Sequence, residues 1–86
     1  MKWNEIRAQY TNQWLLVEAV QAHSDSGKRI LDDLRVLEIS TDSVAAMHKY
    51  GELHQQAPQR ELYVLHTSRE MLDIGERTWL GVIIQN

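Results

Sequence analysis

Apolar residues along the chain switch between a helical and a strand period, and the switches mark the expected elements. Trp3, Ile6 and Tyr10 recur at i, i+3 and i+7, with Asn4, Glu5, Arg7 and Gln9 between them. That spacing predicts a short amphipathic helix over about 2–11. Trp14, Leu15, Leu16, Val17, Glu18, Ala19 and Val20 are rich in strand formers and run into the turn residues His23, Ser24, Asp25, Ser26 and Gly27, so a first strand and a tight reversal are expected there. Ile30, Leu31, Asp32, Asp33 and Leu34 fit a helical turn or a strand equally well. Arg35, Val36, Leu37, Glu38 and Ile39 alternate, which predicts a second strand over about 34–40. Ser40, Thr41, Asp42 and Ser43 are N-cap candidates directly before a helical pattern in which Ala46, Met47, Tyr50, Leu53, His54 and Ala57 share one side, and Pro58 ends it. Leu62, Tyr63, Val64 and Leu65 form a continuous apolar run, the pattern of a central strand covered on both faces. Asp73 and Gly75 then lead to Thr78, Trp79, Leu80, Gly81, Val82, Ile83 and Ile84, which predict a long connection and a fourth strand.

The expected order is therefore α-β-β-α-β-β in a single α+β domain spanning residues 1–86. Placing the two most apolar strands, one and three, in the middle of an antiparallel sheet gives the spatial order 2-1-3-4. Both helices are then expected on one face, over Leu15, Val17, Ala19, Leu37 and Ile39. The opposite face carries Trp14, Leu16, Glu18, Val20, Val36 and Glu38, more apolar surface than a solvated face needs. Trp14, Leu16, Val20 and Val36 are accordingly the candidate interface residues.

Composition narrows the possible functions. A chain of 86 residues buries only a little over ~60% of its unfolded surface. Such a thin core makes self-association worth testing. With no cysteine, disulfide scaffolds and Cys-ligated zinc modules are excluded, and a reducing cytoplasm is the expected location. Apolar runs such as residues 14–17 fall far short of the ~20 residues that cross a bilayer, and the first five residues lack the apolar stretch of a signal peptide. A net charge of −3, with Arg7, Arg35, Lys49, Arg60, Arg69 and Arg77 set singly, argues against a nucleic-acid partner, which needs a clustered cationic stripe.

Several motifs suggest chemistry, and each has a plainer reading. Asp25, Ser26 and Gly27 match the D-[ST]-G triplet of aspartic proteases, but that triplet follows an apolar strand end, whereas His23 and Ser24 precede it here. Hairpin-turn chemistry explains the three residues. His23, His48, His54 and His66 include no i, i+4 pair and no H-E-x-x-H, so no metal ligand set is expected. His66, followed by Thr67, Ser68 and Arg69, is a candidate for anion binding or proton transfer; the plainer reading is a histidine satisfied by a turn carbonyl. Glu18, the lone charge within the first strand, is either a functional carboxylate or an outward residue paired with a cross-strand arginine. Asp32 and Asp33 are neighbours whose side chains diverge. The four glycines make no phosphate-binding loop, no nucleophile–base set is readable, and no cofactor is implied. Trp3, Trp14 and Trp79 are assigned to packing rather than to a ligand box.

Four stretches carry a resemblance: residues 12–19, 35–39, 61–69 and 76–82. In these the chain resembles small bacterial proteins of unknown function whose first strand opens with a Gln-Trp pair, here Gln13 and Trp14, and some of which are encoded beside retropepsin-like aspartic proteases. The resemblance implies at most an accessory or substrate role and assigns no catalytic residue. The leading expectation is a cytoplasmic, non-enzymatic interaction module acting as a homodimer or with another protein partner. The alternatives are a small ligand-binding domain or enzyme using Glu18, His66 and Arg69, and an antitoxin-like or regulatory partner of a neighbouring gene product.

Overall fold

The computed structural model describes residues 1–75. Within them the chain is α+β, with helix α1 over Trp3–Gln9, strand β1 over Trp14–Asp25, strand β2 over Lys28–Ser40, helix α2 over Ser43–Gln56 and strand β3 over Leu62–His66. The strands form an antiparallel sheet in the order β2-β1-β3. The fourth strand expected over 78–84, with Trp79, lies outside the described residues, so of the expected order 2-1-3-4 the described sheet has three strands, β2-β1-β3, and no fourth. Among the described residues β1, not β3, is the central strand.

Local chemistry accounts for the element boundaries. The Glu5 carboxylate accepts the Lys2 backbone N–H at 2.7 Å, closing the N-terminus of α1 and placing a negative charge where the helix dipole favours it. Asp42 caps α2 by accepting from the Val44 and Ala45 N–H groups at 2.6 and 3.0 Å, two of the donors that a helix start leaves without intrahelical partners. Ser26 and Gly27 both have positive φ, at 53° and 77°, the signature of a two-residue I′ hairpin turn. Asp25, Ser26 and Gly27 are thus the exposed tip of the β1–β2 hairpin. The ambiguous residues 30–34 are strand, and β2 starts at Lys28 rather than near 34. The tight turn imposes pairing at once, with Asp25 opposite Lys28 and Ser24 opposite Arg29, and this overrides the weak local preference of 30–34.

The largest correction concerns the faces of the sheet. Trp3 and Ile6 of α1 pack with Leu15, Val17, Leu34, Tyr63, Leu65 and Ile74. Ala46 of α2, flanked by Met47, Tyr50 and Leu53, packs with Leu16, Leu62 and Val64. Because side chains alternate along a strand, these two sets lie on opposite sides: the helices sandwich the sheet instead of sharing a face. Leu15, Leu16, Val17, Val64 and Leu65 are all 0% exposed. The topology requires α2 to cross β1 on its way from β2 to β3, which occupies one face. The turn at 67–69 then anchors α1 to the other: the Trp3 indole N–H donates to the Arg69 carbonyl at 2.8 Å, and Arg7 Nε donates to the Thr67 carbonyl at 2.8 Å.

The β1–β2 hairpin is bent. Its register shifts three times, leaving Leu37, Val20 and Asp32 as extra residues with no partner opposite them. Such bulges bend and twist a strand pair. The outer edge of β2 is met by two further segments: Met1 and Leu34 exchange backbone hydrogen bonds, and Gly75 bridges to Lys28.

Candidate interaction surface

Only part of β1 is covered by β3. Their ladder runs from Trp14 opposite His66 to Glu18 opposite Leu62, and a further bond joins the Ala19 N–H to the Glu61 carbonyl at 2.9 Å. Beyond Ala19 the same edge of β1, residues 20–25, pairs with no strand among the described residues. Val20 there is 46% exposed, and Gln21, His23, Ser24 and Asp25 are exposed as well. Val20 also contributes to a groove of about 370 Å³ lined mainly by β2, through Asp33, Leu34, Arg35 and Val36, together with Met1 and Tyr10.

Of the four candidate interface residues, Val20 is exposed, Val36 and Trp14 are half-buried against the α1-side and α2-side clusters respectively, and Leu16 is fully buried. Val20 and Val36 line the groove. The open face expected to hold all four is filled by α2, so Leu16 is a core residue and Trp14 packs at the margin of its cluster.

The end of the β3 cover is marked by two ion pairs built from consecutive residues. Arg60 donates to Glu18 through Nε and Nη2 at 2.9 and 2.7 Å. Glu61 accepts from Arg29 Nε and Nη2 at 2.9 and 2.8 Å and from the Tyr63 hydroxyl at 2.6 Å. Arg29 sits opposite Ser24, five residues beyond Ala19, the partner of Glu61. In a straight strand at ~3.4 Å per residue those positions are ~17 Å apart, farther than an arginine and a glutamate together extend. The bidentate contact therefore requires the bend that the bulges supply, and it clamps the bent hairpin onto the start of β3. Burial pushes the Glu61 carboxyl up, but the hydrogen bonds from Arg29 and Tyr63 outweigh it and hold it below the ordinary carboxylate range. Burial, reinforced by the Glu61 charge, raises the Tyr63 hydroxyl, and the bond to Glu61 raises the Arg29 guanidinium. The Arg60 hydrogen bond lowers the Glu18 carboxyl against a smaller burial effect, with the Arg60 and Arg35 charges adding to the lowering.

The polar candidates Glu18, His66 and Arg69 are not brought together. Glu18 and His66 share one face but sit at opposite ends of the β1–β3 ladder, four residues or ~13 Å apart. Glu18 is an ion-pair partner, and its arginine is Arg60 rather than the cross-strand Arg35. His66 Nδ1 lies 2.8 Å from the Ser68 hydroxyl and accepts the Ser68 N–H at 3.1 Å, while its ring meets Trp14 edge-on at 5.0 Å. It stabilises the turn through donors to its ring nitrogen, not through a carbonyl. Arg69 Nε and Nη2 donate to the carbonyls of Met71 and Asp73 at 3.0 and 3.3 Å, so this side chain organises its own loop, and burial lowers its pKa. Among the described residues no group of three His, Asp or Glu side chains is placed to hold a metal ion, and no helix is long and apolar enough to cross a membrane.

Arg29, Glu61 and Tyr63 form the most connected polar cluster around the clamp, and sequence reasoning did not single them out. A usable signal was the adjacent opposite charges of Arg60 and Glu61 at the mouth of a strand, where neighbours must point to opposite faces. Comparison with protein-family models, with curated proteins and with solved structures finds no match.

Proposed function

We propose that the chain is a small, non-enzymatic interaction module that works by self-association, in the reducing cytoplasm that its lack of cysteine favours. The observation that carries this reading is the edge of β1 at residues 20–25, which pairs with no strand among the described residues and exposes Val20. A strand edge without a neighbour is a template for another strand. A catalytic reading has less support, because Glu18, His66 and Arg69 are each engaged in separate contacts. Multi-angle light scattering on the purified chain tests the proposal: a dimeric mass is expected at about 100 µM, and a strictly monomeric mass at that concentration overturns it.

A further inference from the structure

Resting on that self-association reading, we propose that the occupant of the open edge is a second copy of this chain, paired antiparallel through residues 21–25 of each β1, with the two-fold axis passing at His23.

The edge itself specifies a strand as its occupant. Past Ala19, β1 presents backbone N–H and C=O groups on alternate residues toward the side that β3 has left. Free edges in soluble proteins are ordinarily blunted by lysine, by proline or by inward-pointing charge. Residues 20–24 are Val, Gln, Ala, His and Ser, with no lysine, proline or carboxylate. The outer edge of β2 differs: Met1 and Gly75 meet it, and it carries Arg29, Asp32, Asp33, Arg35 and Glu38. Of the two outer edges of the hairpin, the β1 edge is the one with no segment against it among the described residues, and its charge is confined to Asp25 at the tip and to His23, which contacts Asp32 at 2.6 Å.

Symmetry and sterics then choose the register. In a two-fold pair, if residue i meets j then j meets i. With the axis normal to the sheet, opposed side chains lie on the same side, so i and j must have equal parity. Centring on Ala22 sets the partner's Asp25 against Ala19, whose N–H is already bound to Glu61. Centring on His23 leaves that bond intact. It pairs Gln21 with Asp25, Ala22 with Ser24 and His23 with His23, and ends at Val20, the extra residue of the bulge. Residues 21–25 of β1 carry no extra residue of their own, since the remaining shift in this stretch comes from Asp32 on β2. No two carboxylates oppose each other. A five-residue edge pair alone is smaller than the ~1,200 Å² interfaces of stable complexes, so the dimer is reversible and dilutes to monomer.

The chain has no cysteine, so a single introduced one reports cleanly. His23→Cys places two thiols across the axis at the ~4.5–5.5 Å Cα separation of directly opposed residues, within disulfide range. Val44→Cys, at a helix position 76% exposed, is the control. In parallel, Gln21→Lys and Gln21→Glu set a lysine or a second carboxylate opposite Asp25, twice per dimer. The dimer dissociation constant, measured by sedimentation, is expected to fall or rise by about 2- to 30-fold respectively. Rapid cross-linking at residue 23 but not at 44, with that ordering of affinities, supports the register. If the wild type is a dimer but residue 23 does not cross-link and the Gln21 variants bind like wild type, this interface is wrong while self-association stands. A monomer at about 100 µM removes both. Far-UV dichroism checks each fold, and the Gln21 series keeps the test decisive if His23→Cys fails to fold.

Discussion

Leu15→Ala and Leu16→Ala should destabilise the protein to a similar extent and do so independently. The two residues are sequence neighbours, each 0% exposed, but one is packed with α1 and the other with α2. Leucine-to-alanine changes at fully buried sites cost about 3 kcal/mol each, from lost transfer energy and the cavity left behind. A chain of 86 residues has roughly 4–13 kcal/mol of stability to lose. With a urea slope of about 1 kcal/mol/M, each variant's midpoint should therefore fall by about 3 M. The cavities open into different clusters with the sheet backbone between them, so the double variant should lose about 6 kcal/mol, enough to leave little or no folded baseline. Val44→Ala, at an exposed helix position, should stay within about 0.5 kcal/mol of wild type. Urea titrations followed by tryptophan fluorescence and far-UV dichroism measure all four. If Leu16→Ala behaves like Val44→Ala while Leu15→Ala costs about 3 kcal/mol, one face of the sheet is open and the sandwich is wrong.

The Glu61 clamp predicts a pH dependence. Its carboxyl is depressed in the folded state, so its contribution is present above the ordinary glutamate pKa of about 4.3 and is lost as pH falls through the lower folded value. The stability gap between wild type and Glu61→Gln should therefore be widest near pH 6 and shrink by pH 3 in urea titrations; a gap that does not change with pH contradicts the assignment. At the hairpin tip, Gly27→Ala meets no atom within 4 Å and should cost only the ~1 kcal/mol of a left-handed backbone with a side chain. Ser26→Asn, which completes the Asn-Gly pair preferred in I′ turns, should gain about 0.5 kcal/mol. Equal melting temperatures for both tip variants would show that the turn is not the I′ type.

Element positions were legible wherever a local signal existed: the 3.6-residue spacing of Trp3, Ile6 and Tyr10, the Asp42 cap, the Pro58 stop and the apolar run of β3. Two features were less legible, for different reasons. The bulges at Val20, Asp32 and Leu37 depend on cross-strand register, which no single segment carries, and without them the Arg29–Glu61 contact is geometrically inaccessible. The helix placement was partly legible. Expecting one open face treats β1 as an alternating strand, although Trp14, Leu15, Leu16 and Val17 form the same continuous apolar run that marks β3 as covered on both sides. Given equal weight, that run argues for helices on both faces. Glu18 was visible as the lone charge within the first strand and His66 and Arg69 as polar residues at and after a strand end, but whether they converge depends on the ladder register, which separates Glu18 from His66.

Arg60 and Glu61 connect the core to the surface. As neighbours at the start of β3 they reach to opposite sides of the sheet, Arg60 to Glu18 on the α2 side and Glu61 to Arg29 and Tyr63 on the α1 side. The Arg29–Glu61 contact thus spans the bend from one face, while Arg60–Glu18 ties β1 to the start of β3 on the other, where the β3 cover of β1 ends. That point is also where the free edge begins, since Ala19 binds Glu61 and residues 20–25 have no such neighbour among the described residues. The side chains that fix the curvature of the hairpin therefore also fix where the edge starts and which way it faces. In a chain with so thin a core, an edge held rigid loses less freedom on pairing with another strand, and the self-association proposed above depends on that saving.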